Sequence, residues 1–197
     1  MAIKTKIFNC NIELSFYFFA ICSVFLLLDD KLFLINFLVI LLHEIGHIVA
    51  MFISGAKISK IKVNAFSVDI IQDNCLPYLK EIFIILSGPF LNIILCILTE
   101  LIYGNLEFEL LKSFSVQNLI IGFVNLLPIS SLDGGRLLIT FLEKYFDENV
   151  VYKISCVVSI IFIVPIFCLG FCAVIKCFNF SILILAIYLS SFLIIRN

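Results

Sequence analysis

The chain alternates long apolar runs with short polar breaks. A bilayer span needs about 17 to 25 mostly apolar residues, fewer where the membrane thins. Six segments meet this, at roughly 12–28, 32–53, 82–103, 114–128, 154–175 and 178–195. The first and fourth are short. The fourth ends at Pro128 and runs into Ser-Ser-Leu-Asp-Gly-Gly-Arg, which predicts a broken helix. Pro165 predicts a kink in the fifth.

Residues 54–80 have a different texture. Ile61 and Val63 fall in one alternating phase, and Phe66, Val68 and Ile70 in the other, with the change near Asn64–Ala65. A short hairpin or a bulged pair of strands has this period of two, and an irregular loop accommodates it equally well. An edge strand from residues 57–71 is one form the segment can take. The expected fold class is therefore an all-α polytopic membrane protein, with about six transmembrane helices and a small membrane-associated β-hairpin or loop after the second. No internal repeat or low-complexity tract interrupts it, so residues 1–197 read as one transmembrane domain, with no PDZ and no CBS domain.

Composition agrees: 63% of the residues are hydrophobic, 14% are charged, 22 are phenylalanine, and the mean hydropathy is +1.22. A formal net charge of −1 supplies no basic field for nucleic acid, which leaves the lipid bilayer as the bulk partner. Lys4 and Lys6 precede an apolar run as in a signal peptide. No small-x-small cleavage site precedes Asp29 and Asp30, so the run reads as a retained first span. With six spans and a cytoplasmic N-terminus, the inner segments hold Lys4, Lys6, Lys57, Lys60, Lys62, Lys80, Arg136, Lys144, Lys153 and Arg196, and the outer ones only Lys31, Lys112 and Lys176. That bias puts both termini on the cytoplasmic side of a bacterial cytoplasmic-type membrane. The eight cysteines form no CxxC pair and lie mostly in apolar runs, where they serve as small hydrophobes.

The chain's two histidines, His43 and His47, both fall in the second apolar run, in Leu-Leu-His-Glu-Ile-Gly-His. Residues i and i+4 share one face of a helix, so both imidazoles can address one ion. Glu44 lies beside that face, placed to act on water rather than to bind the metal. This is the H-E-x-x-H arrangement of zinc hydrolases. A carboxylate and two imidazoles at bilayer depth cost several kcal/mol unless they meet partners or a wet cavity, so a purely structural role is a poor account of them. Gly46, between the histidines, lets another backbone or a substrate come close.

Two imidazoles leave a catalytic zinc short of a third protein ligand. With no further histidine, an Asp or Glu is expected, with Cys less suitable. The histidines lie six to ten residues, about 9–15 Å, from the inner end of their span at 1.5 Å per residue. The fourth span also runs inward, and just past its Pro128 comes Asp133, followed by Gly134 and Gly135, which permit a tight return. Glu100, Asp29, Asp30, Glu107 and Glu109 fall near or beyond the outer end. Asp69 and Asp73 are on the correct side, in a segment whose path the pattern leaves open. Asp133 is the preferred ligand.

Together these residues resemble the site-2 proteases, a family of intramembrane zinc metalloproteases. His43–His47 matches the family's HExxH, Ser87–Asn92 (SGPFLN) its small-Gly-Pro-x-x-Asn helix, and Asn125–Gly134 (NLLPISSLDG) its Asn-x-x-Pro-x-x-x-x-Asp-Gly signature, in the family's order. The resemblance implies one zinc ion per chain held by His43, His47 and Asp133, with Glu44 as general base. It also implies that Asn125 and Pro128 shape the cavity and contact substrate. Within the family, small size, six spans and no PDZ domain are most similar to the stage IV sporulation protein FB branch, whose members release a sigma factor from a membrane-tethered precursor. Ser130 and Ser131 stand where many members carry a second proline. The implied partners are a membrane-tethered protein substrate and membrane-protein regulators. Two other functions accommodate the motif: a membrane hydrolase of lipid or prenyl substrates, and a zinc-binding transporter or chaperone. A transporter usually shows paired broken helices, whereas this pattern has one.

Overall fold

The computed structural model describes residues 2–7, 10–15, 31–63, 68–72, 74, 76–103, 109–178 and 180–195. The chain divides into two compact units, Met1–Gly122 and Phe123–Asn197.

The first unit contains strands β1 (Ala2–Ile7), β2 (Cys10–Ser15), β3 (Ile58–Val63) and β4 (Val68–Gln72), and helices α1 (Lys31–Ser54) and α2 (Tyr78–Tyr103). Helix α3 (Glu109–Asn125) begins in it. The expectation of an all-α fold needs correction. The strands form one four-stranded sheet in the order β1-β2-β3-β4, antiparallel except for the parallel pair β2–β3. Residues 10–15 belong to β2, so the first expected span does not begin at residue 12; the rest of it, from 16, lies outside the described residues. Lys4 and Lys6 alternate with Ile3, Thr5 and Ile7, and Glu13 stands between Ile12 and Leu14, a strand pattern that hydropathy averaging over a long window blurs. The irregularity in the β3–β4 ladder falls between Ile58 and Lys60. The expected phase change near Asn64–Ala65 lies outside the described residues. β3 is also not an edge, because β2 and β4 flank it. Within the described sheet the edges are β1 and β4.

Helix α1 buries Val39, His43, Gly46, His47, Ala50, Met51 and Ser54, one stripe at three- and four-residue spacing. Leu38, Ile45, Val49, Phe52 and Ile53 face outward. Helix α2 repeats the arrangement: Gly88, Pro89, Asn92, Cys96 and Thr99 are buried, while Phe83, Phe90, Ile94, Ile97 and Leu101 are exposed. Small and polar residues inside with large apolar ones outside is the pattern of helices that pack together in lipid. α1 and α2 pack against each other, and Ala50, Met51 and Ile84 form a core with Ala56, Ile58 and Leu76 around it. α1 stops at Gly55, whose positive φ of 76° lets its N–H reach Phe52 O and that of Ala56 reach Met51 O. The Lys80 ammonium donates to Ser54 O at 2.8 Å, and Asn74 Oδ1 accepts from the Lys57 N–H at 2.7 Å, so the loop after α1 is tied at two points.

The second unit holds the end of α3, then α4 (Asp133–Glu143), α5 (Glu148–Cys177) and α6 (Ser181–Ile195). The break expected at Pro128 is present: α3 ends at Asn125 and α4 begins at Asp133. Within the turn, Ile129 is fully buried against Ile163 and Leu189, with Leu127, Leu132, Ile166 and Phe167 around them. Ser159 Oγ accepts from the Ser130 N–H at 2.9 Å and donates to Ser155 O at 2.7 Å, so α5 satisfies a backbone donor that the turn leaves unpaired. Gly134 and Gly135 face the backbone of that same turn. A Cβ on Gly135 would stand 2.6 Å from Ser130 Cα and overlap the Ile129 carbonyl. Gly135→Ala is therefore expected to destabilise the protein by about 1–3 kcal/mol. A fall in the melting temperature of the detergent-solubilised variant checks this, and an unchanged value contradicts it.

Three described helices are long and apolar enough to cross a membrane, at Leu34–Ser54, Tyr78–Ile102 and Glu148–Lys176, and a shorter apolar stretch covers Ile182–Ser191.

Candidate metal centre

Helix α1 carries His43 and His47 one turn apart on its buried stripe, each 5% exposed. Their Nε2 atoms are 3.2 Å apart, and the rings stand edge to face with centroids 4.8 Å apart. The His47 Nδ1–H donates to the carbonyl of Ile84 on α2 at 2.8 Å. A carbonyl can only accept, so the proton sits on Nδ1 and the Nε2 of neutral His47 keeps its lone pair. Ser87 Oγ donates to the same carbonyl and lies 3.5 Å from His47 Nδ1. Glu44 is half-buried on the flank of the stripe.

This pair fits a zinc ion. Two ligand nitrogens at about 2.0–2.1 Å from a tetrahedral centre lie about 3.3 Å from each other, close to the observed 3.2 Å. The second ring nitrogen of His47 is held by a backbone carbonyl, as metal-binding histidines generally require.

In the second unit, Asn125 closes α3, Pro128 lies in the turn, and Asp133 and Gly134 open α4. Asp133 is buried. Arg136 Nη1 is 4.0 Å from Asp133 Oδ1, the outer limit of an ion pair, and its side chain is 55% exposed, so it holds the carboxylate weakly. Gly134 takes the chain close under Leu127, whose carbonyl would lie 2.5 Å from a Cβ there.

Sequence reasoning missed what α2 contributes to the histidines. The Ser87–Asn92 stretch stood out as a motif, yet the Ile84 carbonyl and the contact of Gly88 with the rings carry no sequence mark beyond small residues recurring in an apolar run. Glu100, set aside as a ligand, accepts from Ser115 Oγ of α3 at 2.7 Å.

A metal-ready histidine pair on the buried face of an apolar helix, packed on a second apolar helix, defines a membrane protein with a zinc-hydrolase type of centre. Comparison with known proteins narrows this. Residues 106–169 match the family model described as Peptidase family M50. The chain is 32% identical over 120 residues to a zinc metalloprotease of Methanocaldococcus jannaschii, covering 58% of this chain and 35% of that protein. It is 30% identical over 145 residues to stage IV sporulation protein FB of Bacillus subtilis, covering 70% of this chain and 49% of that protein. The chain thus spans half or less of the length of these curated relatives. The solved structure of a site-2 protease from Methanocaldococcus jannaschii superposes with a TM-score of 0.71 at 25% identity, covering 96% of this chain and 92% of that one. Over these stretches the chain is similar to members of the peptidase M50, or site-2 protease, family.

Proposed function

We propose that this chain is an intramembrane zinc metalloprotease that hydrolyses a peptide bond in or near a membrane-tethered protein. The observation that carries this is the His43–His47 pair, with Nε2 atoms 3.2 Å apart and Glu44 on its flank. In this reading His43 and His47 hold the ion and Asp133 is the third ligand. The burial of Asp133 at the start of a helix that follows a proline break supports that role, as does its place in the Asn-x-x-Pro-x-x-x-x-Asp-Gly signature. When bound, zinc supplies a Lewis acid that polarises the scissile carbonyl and lowers the pKa of water toward about 7. Glu44 accepts the proton of the attacking water and returns it to the leaving amine. Asn125 and Pro128 shape the cavity and contact the substrate, and Gly134 lets Asp133 follow the turn closely.

A transmembrane helix hides its peptide bonds in its own hydrogen bonds, so the target must be held extended before it can be cut. β4, an edge of the described sheet, can hold it by adding it as a further strand. We further propose that both units act as one catalytic domain, in a six-span arrangement with both termini cytoplasmic. The Lys and Arg bias supports the orientation. The likeness to stage IV sporulation protein FB supports a sporulation sigma factor precursor as substrate, with membrane-protein regulators of that step as partners.

The test is direct. Purified protein in lipid vesicles is expected to cleave a membrane-tethered peptide, to lose that activity on treatment with a zinc chelator, and to regain it when zinc is restored. Metal-free protein that remains fully active overturns the proposal.

A further inference from the structure

We propose that Gly88 of α2 is a positioning residue for the two metal-holding imidazoles, and that its missing side chain is the space the rings occupy. This rests on the zinc role of His43 and His47 proposed above. A Cβ on Gly88 would lie 2.7 Å from His47 Cε1 and 2.9 Å from His43 Cε1, and would overlap His47 Nε2. Both rings therefore rest against one backbone atom of the neighbouring helix. Gly88 lies within α2 without a positive φ, so the glycine serves clearance there and not backbone freedom.

His47 is gripped by α2 at two points one turn apart. The Ile84 carbonyl draws Nδ1 in at 2.8 Å, and Gly88 backs the adjoining Cε1–Nε2 edge of the ring. The hydrogen bond fixes which nitrogen faces the ion, and the contact fixes where that nitrogen points. A methyl group at 88 leaves the ring two options. It can keep the Ile84 bond and overlap the methyl, or swing away and lose both the bond and the convergence with His43 Nε2. Either weakens metal binding.

Gly46 works differently. A Cβ there would meet Ser87 O at 2.9 Å and Gly88 Cα at 3.1 Å, which are backbone atoms. Gly46 sets how closely the two helices approach. Gly88 acts on side chains, which can move without unfolding the pair, so its substitution is expected to show in the metal more than in the fold.

The experiment compares wild type, Gly88→Ala, His47→Ala, Gly88→Ala/His47→Ala and Gly170→Ala, each purified in detergent. Zinc affinity is read by competition with a chromophoric chelator, and apo-protein stability by thermal unfolding. Gly88→Ala is expected to bind zinc about 10–100-fold more weakly than wild type, the usual effect of disturbing groups behind metal ligands. Gly170→Ala places its Cβ 2.9 Å from the Leu183 backbone; it should unfold at lower temperature with unchanged zinc affinity. The stability cycle reads the ring contact itself, because whatever Gly88→Ala costs the apo-protein should largely vanish once His47 is trimmed. If Gly88→Ala alone does not fold, the double variant that folds carries the same result. Gly88→Ala binding zinc as tightly as wild type overturns the proposal, and so does an equal stability loss in both backgrounds. Zinc retained in full by His47→Ala would instead overturn the metal site on which the proposal rests.

Discussion

Glu44→Gln protein is expected to retain one zinc per chain and to cleave a tethered peptide about 10²–10⁴-fold more slowly than wild type, the usual range for losing a general base. The substitution preserves shape and removes only the capacity to take up a proton. Glu44 is half-buried on the flank of the α1 stripe, while the histidines occupy its centre, each 5% exposed. In the proposed role Glu44 acts on what the metal binds and does not hold the metal, so metal content and turnover should separate. Zinc content per chain and single-turnover cleavage of the same preparation measure the two. Wild-type turnover in Glu44→Gln removes Glu44 from the chemistry, and loss of zinc would make it a ligand.

Asp133→Ala should behave in the opposite way and lose zinc and activity together. If Asp133 is the third ligand as proposed, removing it would leave two imidazoles and an ion open to solvent. Zinc content is expected to fall toward that of His47→Ala. Asp133 is buried at the start of α4, in the position the proposed signature assigns to the third ligand. Asp133→Ala protein that holds zinc normally and still cleaves would return the third-ligand role to another carboxylate.

Much of this was legible in the sequence. The helices beginning at Lys31, Tyr78 and Glu148 follow apolar runs too long and too uniform to be anything else, because the bilayer sets a minimum length that hydropathy reports directly. The interruption between Asn125 and Asp133 follows from Pro128 and the paired glycines, which act through local sterics. The HExxH spacing places both imidazoles on one face as soon as the segment is helical. The four-stranded sheet was not legible as such. β2 lies next to β3 across an intervening helix, and no local period encodes which distant strand completes a ladder.

The sequence alone picked out candidate residues for the chemistry, the apolar segment in which they stand, and where the chain breaks, since each depends on neighbours within a turn or two of backbone. Tertiary packing sets which nitrogen of His47 carries the proton, through the Ile84 carbonyl, and leaves room for both rings at Gly88. Those depend on how one helix meets another, a matter of close packing between residues some forty positions apart, and small residues look alike in sequence until a neighbour is set against them.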